Sequence, residues 1–138
     1  MTRKESDLSI DNPVTDRTII DHGLVIRTIT TGYSVRLLLV GELNSSSAPT
    51  LERCIRDHES EGCAKQILDL GGLSFIDSTG LRALVRVAKS AGESGWSLRV
   101  VNARGSVGKV LKVTDMESVF SYWQNPKNAS SRTPPSPI

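Results

Sequence analysis

The stretch that decides the fold is Gln66 to Val87, QILDLGGLSFIDSTGLRALVRV. Gln66–Leu70 is a short apolar run of the kind that fills a buried strand. Gly71-Gly72 reads as a turn, and Leu73–Ile76 leads out of it. Asp77-Ser78-Thr79-Gly80 then opens a helix. Its apolar positions Leu81, Leu84, Val85, Ala88 and Ala91 recur at helical spacing, with Arg82, Arg86, Lys89 and Glu93 opposite. Asp77 or Ser78 can serve as the N-cap, and Gly80 lets the first turn pack closely. The segment also has a chemical reading. A serine hydroxyl at a helix start lies where backbone N–H groups and the helix dipole favour an anion, so a phosphate on Ser78 suits that position. Asp77 opposes such a charge but can orient the hydroxyl or accept its proton during transfer.

On the N-terminal side, Leu24–Thr30 and Val35–Leu43 are β-rich and flank Thr31-Gly32-Tyr33-Ser34, a hairpin signal. Ser45-Ser46-Ser47 precedes a helical pattern in which Ala48, Leu51, Ile55 and His58 share a face; a serine can cap it, and Pro49 is tolerated in the first turn. Gly62 ends that helix. On the C-terminal side, Gly92 and Gly95 close the second helix and Trp96–Asn102 makes a strand. A third helix turns Val107, Val110 and Leu111 inward and stops near Asp115, and Ser118–Trp123 is strand-like. The order β-β-α-β-α-β-α-β predicts one α/β domain, a mixed sheet with amphipathic helices mainly on one face. It spans residues 23–123. Residues 1–22, polar and of mixed charge, read as a flexible N-terminal arm. Residues 124–138 carry four of the six prolines and read as a disordered Pro/Ser-rich tail.

Composition narrows the function. The chain has 138 residues, 38% hydrophobic and 23% charged, with a net charge of +2, too mild to imply nucleic acid or an anionic membrane. The six aromatics form no stacking stripe, the longest strictly apolar run is Leu37–Val40, and Met1–Val14 lacks an h-region, so no membrane insertion or secretory signal is expected and the expected compartment is the cytoplasm. Cys54 and Cys63 are the only thiols and His22 and His58 the only imidazoles, without metal-ligand spacing, so neither metal nor cofactor is expected. The cysteines read as free thiols. A hydrolase with Ser78 as nucleophile would need a GxSxG elbow and a placed histidine, and the sequence offers neither.

Taken together, the pieces resemble the STAS domain of bacterial anti-sigma factor antagonists. They are Val40-Gly41-Glu42-Leu43-Asn44, the helix after Ser47, Ile67–Leu70, Phe75-Ile76-Asp77-Ser78-Thr79-Gly80-Leu81, Leu98–Asn102, and Val107–Leu111 on to Met116. The resemblance covers roughly 23–123 in order and spacing. It implies a regulator rather than an enzyme. Ser78 would be the serine phosphorylated by the cognate anti-sigma factor kinase, with Asp77, Thr79, Gly80, Asn44 and Glu42 as its surroundings and partner surface. The unphosphorylated form would bind the anti-sigma factor and release the sigma factor, and a serine phosphatase would reset the switch. Thr79, β-branched and stiff at χ1, is the poorer acceptor. The alternative is a STAS scaffold that works without phosphorylation, such as a subunit of a membrane lipid-transport complex.

Two positions depart from the family pattern. Asn44 stands where the family commonly has Asp near the acceptor serine, which predicts slower phosphorylation and a gain in rate for Asn44→Asp. Asp115 replaces a common Gly after the third helix, a conservative change for a left-handed cap.

Overall fold

The structure, a computed structural model, describes residues 14–114. Strands β1 (Val14–Asp21), β2 (Leu24–Thr31) and β3 (Ser34–Leu43) form an antiparallel meander. Helix α1 (Ala48–Ser60) crosses to β4 (Lys65–Ile76), and α2 (Ser78–Ser94) crosses to β5 (Ser97–Val101). Both crossovers make parallel pairs, so the sheet is mixed, in the order β1-β2-β3-β4-β5. Helix α3 (Gly105–Val113) follows. The expected α/β architecture is present.

Period-two alternation decides which face is covered. Leu24, Ile26 and Thr28 of β2, Val35, Leu37 and Leu39 of β3, and Gln66, Leu68 and Leu70 of β4 are buried. The apolar ones among them meet Leu51 and Ile55 of α1, Leu84 and Ala88 of α2, and Val107 and Leu111 of α3 in one cluster. All three helices therefore share one face. The other face carries Val25, Ile29 and Ile67 among charged pairs, including Arg36 Nη2 to Asp69 Oδ2 at 2.7 Å and Arg27 Nη2 to Asp16 Oδ2 at 2.6 Å. The Asp69 carboxyl also accepts from the Gly71 amide and from Asn102; these partners hold it below the usual carboxylate range against its own burial.

Three expectations need correction. Of the arm expected over residues 1–22, Val14–Asp21 is a strand paired with β2 along its whole length, and residues 1–13 lie outside the described residues. Its pattern is weak because it is an edge strand: Thr15 to Thr18 and Ile20 are exposed, and Ile19 alone packs against the core. The signal available was His22-Gly23, a two-residue turn between β-branched runs, with φ of 49° and 80°. Second, Gly71-Gly72 is no turn. β4 runs straight through it, with an irregular register opposite Val40 and Gly41. A Cβ on Gly72 would lie 2.8 Å from Val40 Cγ2 and 2.9 Å from the Leu39 carbonyl, so glycine here serves strand approach. Third, the buried stripe of α2 is Gly80, Ala83, Leu84, Val87, Ala88 and Ala91, with Leu81 and Val85 only partly covered. Small residues at the contact let the helix lie close to the sheet, which a count of large apolar positions misreads.

The side chains expected inside α1 are buried, as are Val107 and Leu111 of α3, whereas Val110 is only partly covered. Cys54 and Cys63 are free, and burial pushes the Cys54 thiol up to about 11. The strand expected over Ser118–Trp123, the tail over 124–138 and the Asp115 cap lie outside the described residues.

Candidate functional site

In a parallel crossover unit each helix begins beside the C-terminal end of the strand before it. The starts of α1 and α2 therefore lie at the same end of the sheet, where β3 and β4 finish. Glu42, Asn44, Asp77 and Ser78 all belong to this end.

Asp77 is the N-cap of α2. Its extended backbone (φ −106°, ψ −176°) lets Oδ1 accept from the Gly80 amide at 2.9 Å, and its carbonyl accepts the first helical bond, from Leu81. The Asp77 amide donates to the Leu43 carbonyl at 3.2 Å, tying the helix start to the end of β3. Gly80 makes that closeness possible. A Cβ there would lie 2.5 Å from the Leu43 carbonyl oxygen and 3.0 Å from Ile76 Cγ1, and a backbone oxygen has little room to yield.

Ser78 is the first residue of the helix and is exposed, whereas Thr79 is half-buried. Among the described residues no protein group accepts from the Ser78 or Thr79 amides, as expected for the first turn of a helix. An exposed hydroxyl thus sits beside two open N–H donors at the positive end of a 17-residue helix. That arrangement can carry a phosphate ester.

Asn44 is turned into its own loop. Its Oδ1 accepts from the Ser46 amide at 3.0 Å and the Ser47 amide at 3.2 Å, and its carbonyl takes the Ala48 amide at 2.8 Å. Among the described residues no hydrogen bond joins it to Ser78. Ser47 does not cap α1 through its hydroxyl, as the sequence had suggested. Its backbone is already helical (φ −99°, ψ −21°), and Oγ instead donates to the Glu42 carbonyl at 2.8 Å and accepts from the Asn44 amide at 3.0 Å. Glu42 is exposed, with its side chain directed to no protein partner among the described residues.

Sequence reasoning missed the β1–β2 hairpin tip at this end. The Gly23 carbonyl accepts from the Glu42 amide at 3.1 Å, and the Asp21 carboxylate bonds the Thr50 hydroxyl in the first turn of α1 and His22 Nδ1. Those bonds, Thr50 first, hold the Asp21 carboxyl below its ordinary value. Phe75, 47% exposed and three residues before Ser78, also went unmarked. No spacing rule singles out an exposed aromatic at a strand end. His58 is buried in α1, His22 is paired with Asp21, and among the described residues neither bonds Ser78.

A family model of the STAS domain matches residues 27–129. BtrV of Bordetella bronchiseptica, which carries the name of an anti-sigma factor antagonist, is 32% identical over 82 residues, 59% of this chain and 71% of that protein. The anti-sigma-B factor antagonist of Staphylococcus epidermidis is 26% identical over 97 residues, 70% of this chain and 90% of the relative. Among solved structures, the anti-sigma factor antagonist SpoIIAA in its unphosphorylated form superposes with a TM-score of 0.56 at 17% identity, covering 75% of this chain and 84% of that one. SpoIIAA of Bacillus in its phosphorylated form superposes at 0.53 and 16% identity, covering 75% and 86%. At these identities the SpoIIAA structures speak for the fold.

Proposed function

Because this chain belongs to the STAS-domain family, we propose that it is an anti-sigma factor antagonist switched by phosphorylation of Ser78. The unphosphorylated chain binds an anti-sigma factor that is also a serine kinase, and so releases the sigma factor. The kinase transfers the γ-phosphoryl group of ATP to Ser78 Oγ, releasing ADP and the hydroxyl proton. A serine phosphatase hydrolyses the ester and restores binding.

The observation that carries this reading is the geometry of the α2 start: Ser78 exposed, Asp77 fixed as cap, and two backbone amides open beside the hydroxyl. The fixed cap holds the serine at a defined height on the surface. At the same end of the sheet lie Glu42, Asn44 and the exposed Phe75, a carboxylate, an amide and an aromatic ring, a mixed surface suited to a protein partner rather than a small substrate. A phosphoserine brings about −1.5 to −2 charges into that surface. Repulsion and desolvation then oppose docking without any change of fold.

The test uses the full chain as bait for anti-sigma factor kinases, followed by calorimetric titration of the kinase recovered. Ser78→Ala is expected to bind like the wild type. Ser78→Asp is expected to bind about 2–4 kcal/mol more weakly, as for an unpaired charge forced into an interface. Equal binding by a folded Ser78→Asp would overturn the phosphorylation switch and favour a STAS scaffold that works without it.

A further inference from the structure

We infer that Arg82 is the intramolecular counter-ion of Ser78 in its phosphorylated state, an inference that rests on the phosphoacceptor reading above. Ser78 opens α2 and Arg82 lies four residues on, so the two share one helix face, a turn apart. Both are exposed. Helical side chains lean towards the N-terminus, which lays a long arginine at this position over the turn that holds Ser78. An anion followed by a cation four residues later is also the favourable order for such a pair.

The guanidinium is available for this role. Arg27, Arg36 and Arg86 are committed to Asp16, Asp69 and Glu52. Arg82 has no carboxylate partner among the described residues, and the first turn of α2 holds no acidic side chain. A cation just past the positive end of a helix is poorly placed for the dipole. An anion on Ser78 reverses that conflict. The carboxylate beside the new phosphate in the chain is the cap Asp77, and Glu42 lies at the same end of the sheet, so negative charge there pushes against the phosphate's second charge. Arg82 offsets that push. A phosphate held down on its own helix is less able to reward a basic group on the partner, so phosphorylation remains a loss of binding.

The experiment needs no kinase. Phosphoserine is installed at position 78 of the full chain by genetic encoding, and the second ionisation of the phosphate is followed by phosphorus NMR at low salt. Arg82→Gln is expected to raise that pKa by about 0.3–0.5, a two- to threefold rise in proton affinity, because the dianion loses its counter-ion. Arg82→Lys should restore most of the wild-type value, and 0.5 M salt should shrink the difference. Arg99→Gln, on the far side of the sheet, is the control and should leave it unchanged. If Arg82→Gln titrates with the wild type and the Arg99→Gln control, the pairing does not exist. Failure of the antagonist reading has a different signature: the phosphorylated chain would bind the anti-sigma factor as tightly as the unphosphorylated one, whatever the titration shows.

Discussion

Two helices start at the same end of this sheet, and they handle the same problem differently. Every helix begins with backbone donors that lack an intrahelical partner. At α1 these are consumed locally. Asn44 takes the Ser46 and Ser47 amides on its side chain and the Ala48 amide on its carbonyl, Pro49 brings no donor, and Ser47 accepts from Thr50 and Leu51. At α2 the cap takes one donor, the Gly80 amide, and those of Ser78 and Thr79 have no protein acceptor among the described residues, next to an exposed hydroxyl. A closed start builds a rigid neighbour, and an open start is what an incoming anion can use. The contrast supports placing the proposed switch at α2 although three serines precede α1.

Substitutions at the two starts break this comparison in graded ways. The largest effect is expected from Gly80→Ala, since its methyl would press on the Leu43 carbonyl oxygen and on Ile76. A cost of about 1–3 kcal/mol is expected, as for overpacking, read as a lower midpoint in urea with an unchanged slope. Next come the two side chains that serve the starts. Asp77→Ala removes a true N-cap bond and Asn44→Ala removes the acceptor for two loop amides. Each is expected to cost about 1 kcal/mol. Asp77→Asn, which keeps an acceptor, should cost much less, and a full loss there would show that the cap bond is not what matters.

Asn44→Asp sharpens the comparison in rate rather than stability. The resemblance predicts a faster phosphorylation, through an Asp near the serine. The geometry expects the new carboxylate to keep bonding the Ser46 and Ser47 amides, as Asn44 does. The gain should therefore fall well short of the roughly hundredfold minimum typical of positioned proton transfer. A single-turnover assay with labelled ATP measures it, and a gain of that size would mean that the loop reopens towards Ser78 in the kinase complex.

The smallest effect concerns the opposite end of α1. His58 is buried, with Nδ1 unpartnered among the described protein groups, and burial pushes its pKa below the ordinary 6.5. The unfolded chain then binds the proton more readily, so this contribution to stability is complete above about pH 6.5 and is lost as the pH falls through the lowered value. Thermal melts at pH 7.5 and 5.5 should show a larger drop for the wild type than for His58→Gln. Equal drops would mean that His58 stays solvated.

The helices, the middle strands and the Asp-Ser-Thr-Gly corner were legible in the sequence. Periodicity reports burial directly in elements with one wet and one dry face, and caps and glycines are local signals. Leu51, Ile55, Leu84 and Val107 could be assigned inward by spacing alone, and Ser78 could be marked by its place before an apolar stripe. The edge strand, the run of β4 through Gly71-Gly72 and the turn of the α2 stripe were not legible. Pairing on one side leaves Thr15–Thr18 exposed, and an approach of β3 to β4 depends on residues some thirty positions apart. Local sequence fixed which hydroxyl begins a helix. Only the tertiary structure decided that the Gly23 carbonyl of the hairpin tip meets the Glu42 amide and that the Asp77 amide meets the Leu43 carbonyl, because each bond joins groups far apart in the chain that only the folded sheet brings together.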